Sequence, residues 1–164
     1  MNLDKEFKLS SWAINNKMTV YVIIAIIMIG GLMSYYNMPR ETFISHIDNA
    51  PSGFSPCARA GNLVFTAGQV SVDSQGNLVG EGDAKEQARQ CFKNIKDALE
   101  VAGASMSDIV KVTTFLINVE DYNDYAEIRL GLFPSKGPAS STVIIKELVR
   151  PEFLIEIEAI AVIN

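Results

Sequence analysis

Few side chains in this sequence can do chemistry. His46 is the only histidine, and Cys57 and Cys91 are the only cysteines. The two thiols fit no C-x-x-C pattern, so one chain cannot assemble a zinc site of the usual Cys/His type. A Ser-His-Asp triad lacks a well-placed histidine, because His46 sits in a polar connector and reads as a surface residue. Nothing in the cysteine spacing argues for a disulfide. Cys57 as a nucleophile would need a lowered pKa, and only Arg59 stands near enough in sequence to lower it. Cys91 falls in the apolar stripe of a helix and reads as a small core residue. Carboxylates remain. In the closing run Phe153–Ile163, period 2 puts Ile155, Ile157, Ala159, Ala161 and Ile163 on one face. The other face carries Glu156, Glu158, Ile160 and Val162. Two carboxylates leading two large apolar residues suit a face that packs on another subunit and leaves a polar cleft at one end. Plain solvent exposure of both glutamates is the competing reading.

The elements that must position these residues follow in clear order. Leu63–Gly68 is β-branched and apolar between turn residues and predicts a strand. Gly76-Asn77 predicts a turn, with a short strand at Leu78-Val79. Asp83 followed by Glu86 has the form of a capping box. Ala84, Ala88, Cys91, Ile95, Ala98, Leu99 and Ala102 then recur at helical spacing, closed by Gly103. Ile109–Ile117 is a strand, Tyr125 to about Leu130 a short helix, Ser141–Ile145 a strand, and Phe153–Ile163 the last. The order β-β-α-β-α-β-β predicts an α/β layer (α+β in the wider sense), one sheet covered on one face by two helices.

Charge excludes one class of partner. Residues 1–43 carry four basic and three acidic side chains, a net +1, and residues 44–164 the other 10 basic and 16 acidic, a net −6. A domain of that sign repels phosphate backbones, so no nucleic-acid partner is expected.

The apolar excess of the composition lies ahead of that domain. Thr19–Tyr36 is eighteen residues without a charge, about 27 Å as a helix against a hydrocarbon core of about 30 Å. Tyr21, Tyr35 and Tyr36 stand near its ends, where aromatic rings favour the headgroup layer. Lys5, Lys8 and Lys17 precede it and Arg40 follows. The expectation is a single-pass membrane segment with a cytoplasmic N-terminus. A signal peptide fits poorly, since the exit SYYNMPRE is not A-x-A-like. A buried core helix would need a larger protein around it. Without this segment, the domain would be expected in the cytoplasm. The wording of residues 3–43, ending in MPRETF, resembles the start of a resistance-nodulation-division efflux transporter, and the likeness stops at Ile44. The expected organisation is thus a leader and membrane helix over 1–43 and a globular domain over 44–164.

Within that domain, several stretches match one family in order. They are Asn49-Ala50-Pro51, Phe65-Thr66-Ala67-Gly68-Gln69, Glu86-Gln87-Ala88-Arg89 through Asn94-Ile95, Asp108–Lys111, Pro138–Thr142 and Ile155–Ala161. Over about 120 residues the chain resembles the reactive-intermediate deaminase (RidA/YjgF) family. The resemblance implies a chorismate-mutase-like fold assembled as a homotrimer, with small-molecule clefts between neighbouring subunits. It also implies hydrolysis of 2-imino acids to 2-keto acids and ammonia, with no metal and no cofactor.

Residue by residue, the resemblance gives Glu156 the role of holding the attacking water. Backbone near Gly68 and Thr142 would line the cleft. Two positions depart from the pattern. Ser140 stands where the family has an arginine for the substrate carboxylate, and Cys57 where it has a pocket tyrosine. A serine offers one neutral hydrogen bond where guanidinium offers two charged ones, a loss of about 2–3 kcal/mol of carboxylate binding. Lys146 is too distant along its strand to compensate. Arg59, sharing a face with Cys57 if that stretch is extended, is the substitute considered for binding an anion; a solvated arginine is the alternative. A non-catalytic ligand-binding trimer is the second functional reading, and an endoribonuclease-type activity or a transporter remnant ranks below it.

Overall fold

The computed structural model describes residues 15–38, 41–44 and 53–164. His46, Lys5, Lys8, Arg40 and the Asn49-Ala50-Pro51 stretch lie outside the described residues. The chain divides into two compact units, Met1–Pro39 and Arg40–Asn164. The first contains helix α1, Lys17–Tyr36, none of whose residues is buried. By length and composition it is able to cross a membrane.

The second unit is built on a mixed six-stranded sheet in the order β1-β2-β3-β6-β4-β5. Its strands are β1 Glu41–Ile44, β2 Cys57–Ala60, β3 Leu63–Thr66, β4 Ile109–Leu116, β5 Ala139–Ile144 and β6 Ile155–Val162. A two-residue turn joins β2 to β3 and needs a positive φ, which Gly61 supplies at 64°. β4 and β5 are parallel, joined by the crossover helix α3, Tyr122–Leu132, while the other neighbours pair antiparallel. The fold is therefore α+β with a mixed sheet. Two details depart from the sequence-based expectation. Leu78-Val79 is not a strand but makes a single bridge to Val72. Asp73 Oδ1 accepts from the backbone amides of Gln75 and Asn77, closing a tight loop that leaves no length for pairing. Conversely, β1 and β2 were not anticipated, and β1 pairs with β2 across the boundary expected at residue 43.

Helix α2, Ala84–Val101, supplies most of the core. Asp83 caps it, its side chain accepting from the Glu86 amide at 3.0 Å. Its apolar stripe, Ala88, Cys91, Ile95, Ala98 and Leu99, packs on Val64, Val112, Ile155, Ile157, Ala159 and Ala161 of the sheet. The helix also buries Gln87 completely. Gln87 Nε2 donates to the Gly80 and Glu152 carbonyls, and its Oε1 accepts from the Leu154 amide. A buried amide so fully satisfied locks the entry of β6 to α2. Gly103, at φ 78°, ends the helix with Ala104 N donating to Leu99 O.

Candidate functional site

Period 2 along β6 settles which side chains face the helices. Ile155, Ile157, Ala159 and Ala161 are buried beneath α2, and Glu156, Glu158, Ile160 and Val162 are half-buried on the other face. On that face Glu156 lies beside Phe115 and Glu158 beside Thr113 of β4, with Phe65 of β3 beside Ile160. Burial, and secondarily the charge of Glu158, holds the Glu156 carboxyl above its ordinary pKa. Neither glutamate has an ion-pair partner among the described residues. Lys111, opposite Ile160 on this face, donates to Ser141 Oγ at 2.6 Å.

The Gly68 loop is delivered to Glu156 by a chain of polar contacts. Asn94 Nδ2 on α2 donates to the Val70 and Val72 carbonyls, and Gln90 Nε2 to Val72 O. Gln69 and Ile157 then exchange both backbone hydrogen bonds, at 2.8 and 3.0 Å. Gly68 is thereby pressed against the Glu156 side chain so closely that a Cβ would overlap Oε1. That contact explains a glycine where the backbone conformation itself demands none. Asn94 and Gln90 were missed as site residues, and their only sequence signal was polarity on a helix flank otherwise close to the core.

Other expected site residues are placed elsewhere. Cys57 and Arg59 share a face as expected, but it is the helix-covered face, because Arg59 pairs with buried Val64. Cys57 Sγ donates to Ala98 O at 3.2 Å, and burial pushes its thiol pKa up. Arg59 donates to Gly61 O through Nε and to Ala102 O through Nη1, closing the end of α2. Within one chain, neither residue lies on the Glu156 face of the sheet. The Cys91 thiol is also pushed up, mainly by burial, so neither sulfur has thiolate character. Ser140 and Thr142 sit on β5 beside Val112 and Thr114. Alternation sends them to the helix-covered side of the sheet, opposite the Glu156 side. Ser140 is exposed and Thr142 partly so, since β5 is an edge strand. A groove of about 400 Å³, lined among others by Ile109, Phe133, Lys136 and Pro138, lies away from Glu156 near the start of β5.

What the site offers, then, is a carboxylate of raised proton affinity against a glycine backbone, on a sheet face with apolar neighbours. Residues 46–163 match the family described as Endoribonuclease L-PSP. A RutC family protein of Pyrococcus horikoshii is 39% identical over 117 residues, covering 70% of this chain and 92% of the relative. A 2-iminobutanoate/2-iminopropanoate deaminase of Salmonella typhimurium is 39% identical over 124 residues, covering 70% and 93%. Among solved structures, yeast Mmf1 superposes with a TM-score of 0.71 at 28% identity, over 76% of this chain and all of that one. TdcF of E. coli with bound serine gives 0.66 at 31%, over 73% and 95%. With the family match spanning strands β2 to β6, both helices packed on them and the Glu156–Gly68 contact, this chain belongs to the Endoribonuclease L-PSP family, the RidA/YjgF proteins.

Proposed function

We propose that the domain hydrolyses the C=N bond of 2-imino acids, with water held by Glu156. Water adds to the imine carbon, and the resulting carbinolamine collapses to the 2-keto acid and ammonia. The observation carrying this reading is the half-buried Glu156, held against Gly68 with its proton affinity raised and, among the described residues, no cation paired to it. Such a carboxylate is an acceptor poised to orient a water and to take its proton. Relatives named 2-iminobutanoate/2-iminopropanoate deaminase supply the substrate class.

The reacting molecule would sit between two copies of the chain. Glu156 with Gly68 and Ser140 with Thr142 lie on opposite faces of one sheet, so both pairs reach one substrate only if a neighbouring chain contributes one of them. The open face is suited to that contact, with Leu63 37% and Phe65 40% exposed beside Ile160 and Val162. A homotrimer closing such faces inward fits both facts. Helix α1 would anchor this assembly as a single membrane pass over about residues 19–36, with a cytoplasmic N-terminus. Protease protection of membrane preparations tests that orientation.

Generating 2-iminobutanoate in situ and following keto-acid release tests the chemistry. Wild-type protein should accelerate release, and Glu156→Gln should not; equal rates with and without wild-type protein would end the proposal. The uncharged Ser140 supports a second reading, a trimer that binds a metabolite without turnover. Thermal stabilisation by a 2-keto acid with no accelerated release would favour it.

A further inference from the structure

The groove at the start of β5 continues past its polar residues. Met106 and Leu132 line both this groove of about 400 Å³ and a second one of about 190 Å³ between α2 and α3. The two hollows therefore form one trough, and its ends differ in chemistry. At the β5 end stand Lys136, Ser107 and Ser135, over a floor of Ile109, Phe133 and Pro138. At the other end Phe92 and Ile128 form the floor, with the stems of Arg89, Lys93 and Lys96 as walls. Those three cations are already paired, to Glu86, Asp97 and Glu100. Lys136 has no ion pair among the described residues. Asp108, the carboxylate of the turn that carries Ser107, is taken up by the amide and hydroxyl of Ser105. The domain is otherwise acidic, with 10 basic against 16 acidic side chains over residues 44–164. A cation left unpaired at the rim of a hollow in such a domain calls for an anion.

We propose that the trough binds a single-chain carboxylate of medium length, its head at Lys136 and its tail running past Met106 and Leu132 to Phe92 and Ile128. Lys136 meets the carboxylate, with the Ser107 and Ser135 hydroxyls as neutral donors beside it. The unbranched thioether of Met106 at the join adapts to the course of the tail. Small-molecule sites measure about 300–1,000 Å³, and the β5 end alone reaches that size. The walls are fixed before any ligand arrives. Arg129 Nη2 donates to Pro138 O at 3.3 Å and holds the loop that carries Lys136. Phe133 meets Phe92 edge-on, with ring centroids 6.3 Å apart, and ties that loop to α2. The trough is separate from the Glu156 site. Ile109 pairs with Ala161 and Phe115 with Glu156, six residues apart along β4, a span of about 20 Å. It also lies on the helix-covered side of the sheet, so the inference does not depend on imine hydrolysis.

Methionine-methyl NMR on the full chain in lipid nanodiscs tests this, because Met106 is the only methionine of residues 44–164. Octanoate should move the Met106 methyl resonance saturably. It should bind at least tenfold more tightly than butanoate, which has the head without the tail. Octanamide, which has the tail without the charge, should bind about threefold to tenfold more weakly than octanoate. Lys136→Gln should abolish that difference and leave octanamide binding unchanged; Lys136 is exposed, so the fold does not rest on it. Octanoate dissolved in the nanodisc reaches Met18, Met28 and Met33 of α1, and its partition into lipid is read there, apart from binding. A Met106 resonance that octanoate leaves unmoved overturns the site. So does a preference for octanoate over octanamide that survives in Lys136→Gln, or one absent from wild type.

Discussion

At the scale of single residues, Glu156 carries the most consequence. Its raised pKa means the native state keeps a proton that the unfolded chain has already released. Stability then falls as pH rises from the ordinary carboxylate range through the raised one. Glu156→Gln cannot ionise and escapes that loss. Its denaturation midpoint should exceed that of wild type at pH 7 and converge with it near pH 4. Activity should move the opposite way, falling roughly a hundredfold or more in the variant. In wild type, kcat/KM should decline on the acid side with a midpoint above that of an ordinary glutamate. The cysteines make a second prediction. Cys57 is 1% exposed and Cys91 0%, both with raised pKa. An aromatic disulfide reagent should leave both unmodified in native protein and titrate two thiols in guanidinium; rapid native modification of Cys57 would contradict its placement under α2.

At the scale of elements, α2 is the organiser. It is capped by Asp83, closed by Gly103 and Arg59, and tied to both the Gly68 loop and the entry of β6. Asp83→Ala removes one cap bond and should cost about 1 kcal/mol in urea unfolding, with little change in activity. This helix was legible in the sequence nearly to its last residue, because cap, apolar stripe and terminal glycine all agree. The alternation of β6 was equally plain. β2 was not, since Cys-Ala-Arg-Ala has no clear period and becomes a strand through pairing with β3 across the Gly61 turn. α3 runs from Tyr122, earlier than its composition suggests, and only the fold shows Arg129 directed at Pro138.

At the scale of the whole molecule, the open sheet face remains to be covered. Phe65→Lys and Ile160→Lys each place a charge in the middle of it, away from Glu156. Sedimentation should show a trimer for wild type and smaller species for these variants, with imine hydrolysis lost in parallel if the cleft is shared. A monomeric wild type that retains activity would remove the shared cleft.

Local patterns sufficed for the family, for the course of α2 and for the face on which Glu156 lies, because caps, periods and motifs are read over a few neighbouring residues. Tertiary structure alone decided that Gly68 presses on Glu156, that Arg59 serves the end of α2, and that Met106 and Leu132 line the same trough. Each of those is a contact between segments distant along the chain, and its partner is set by strand order and register, which no local run of residues specifies.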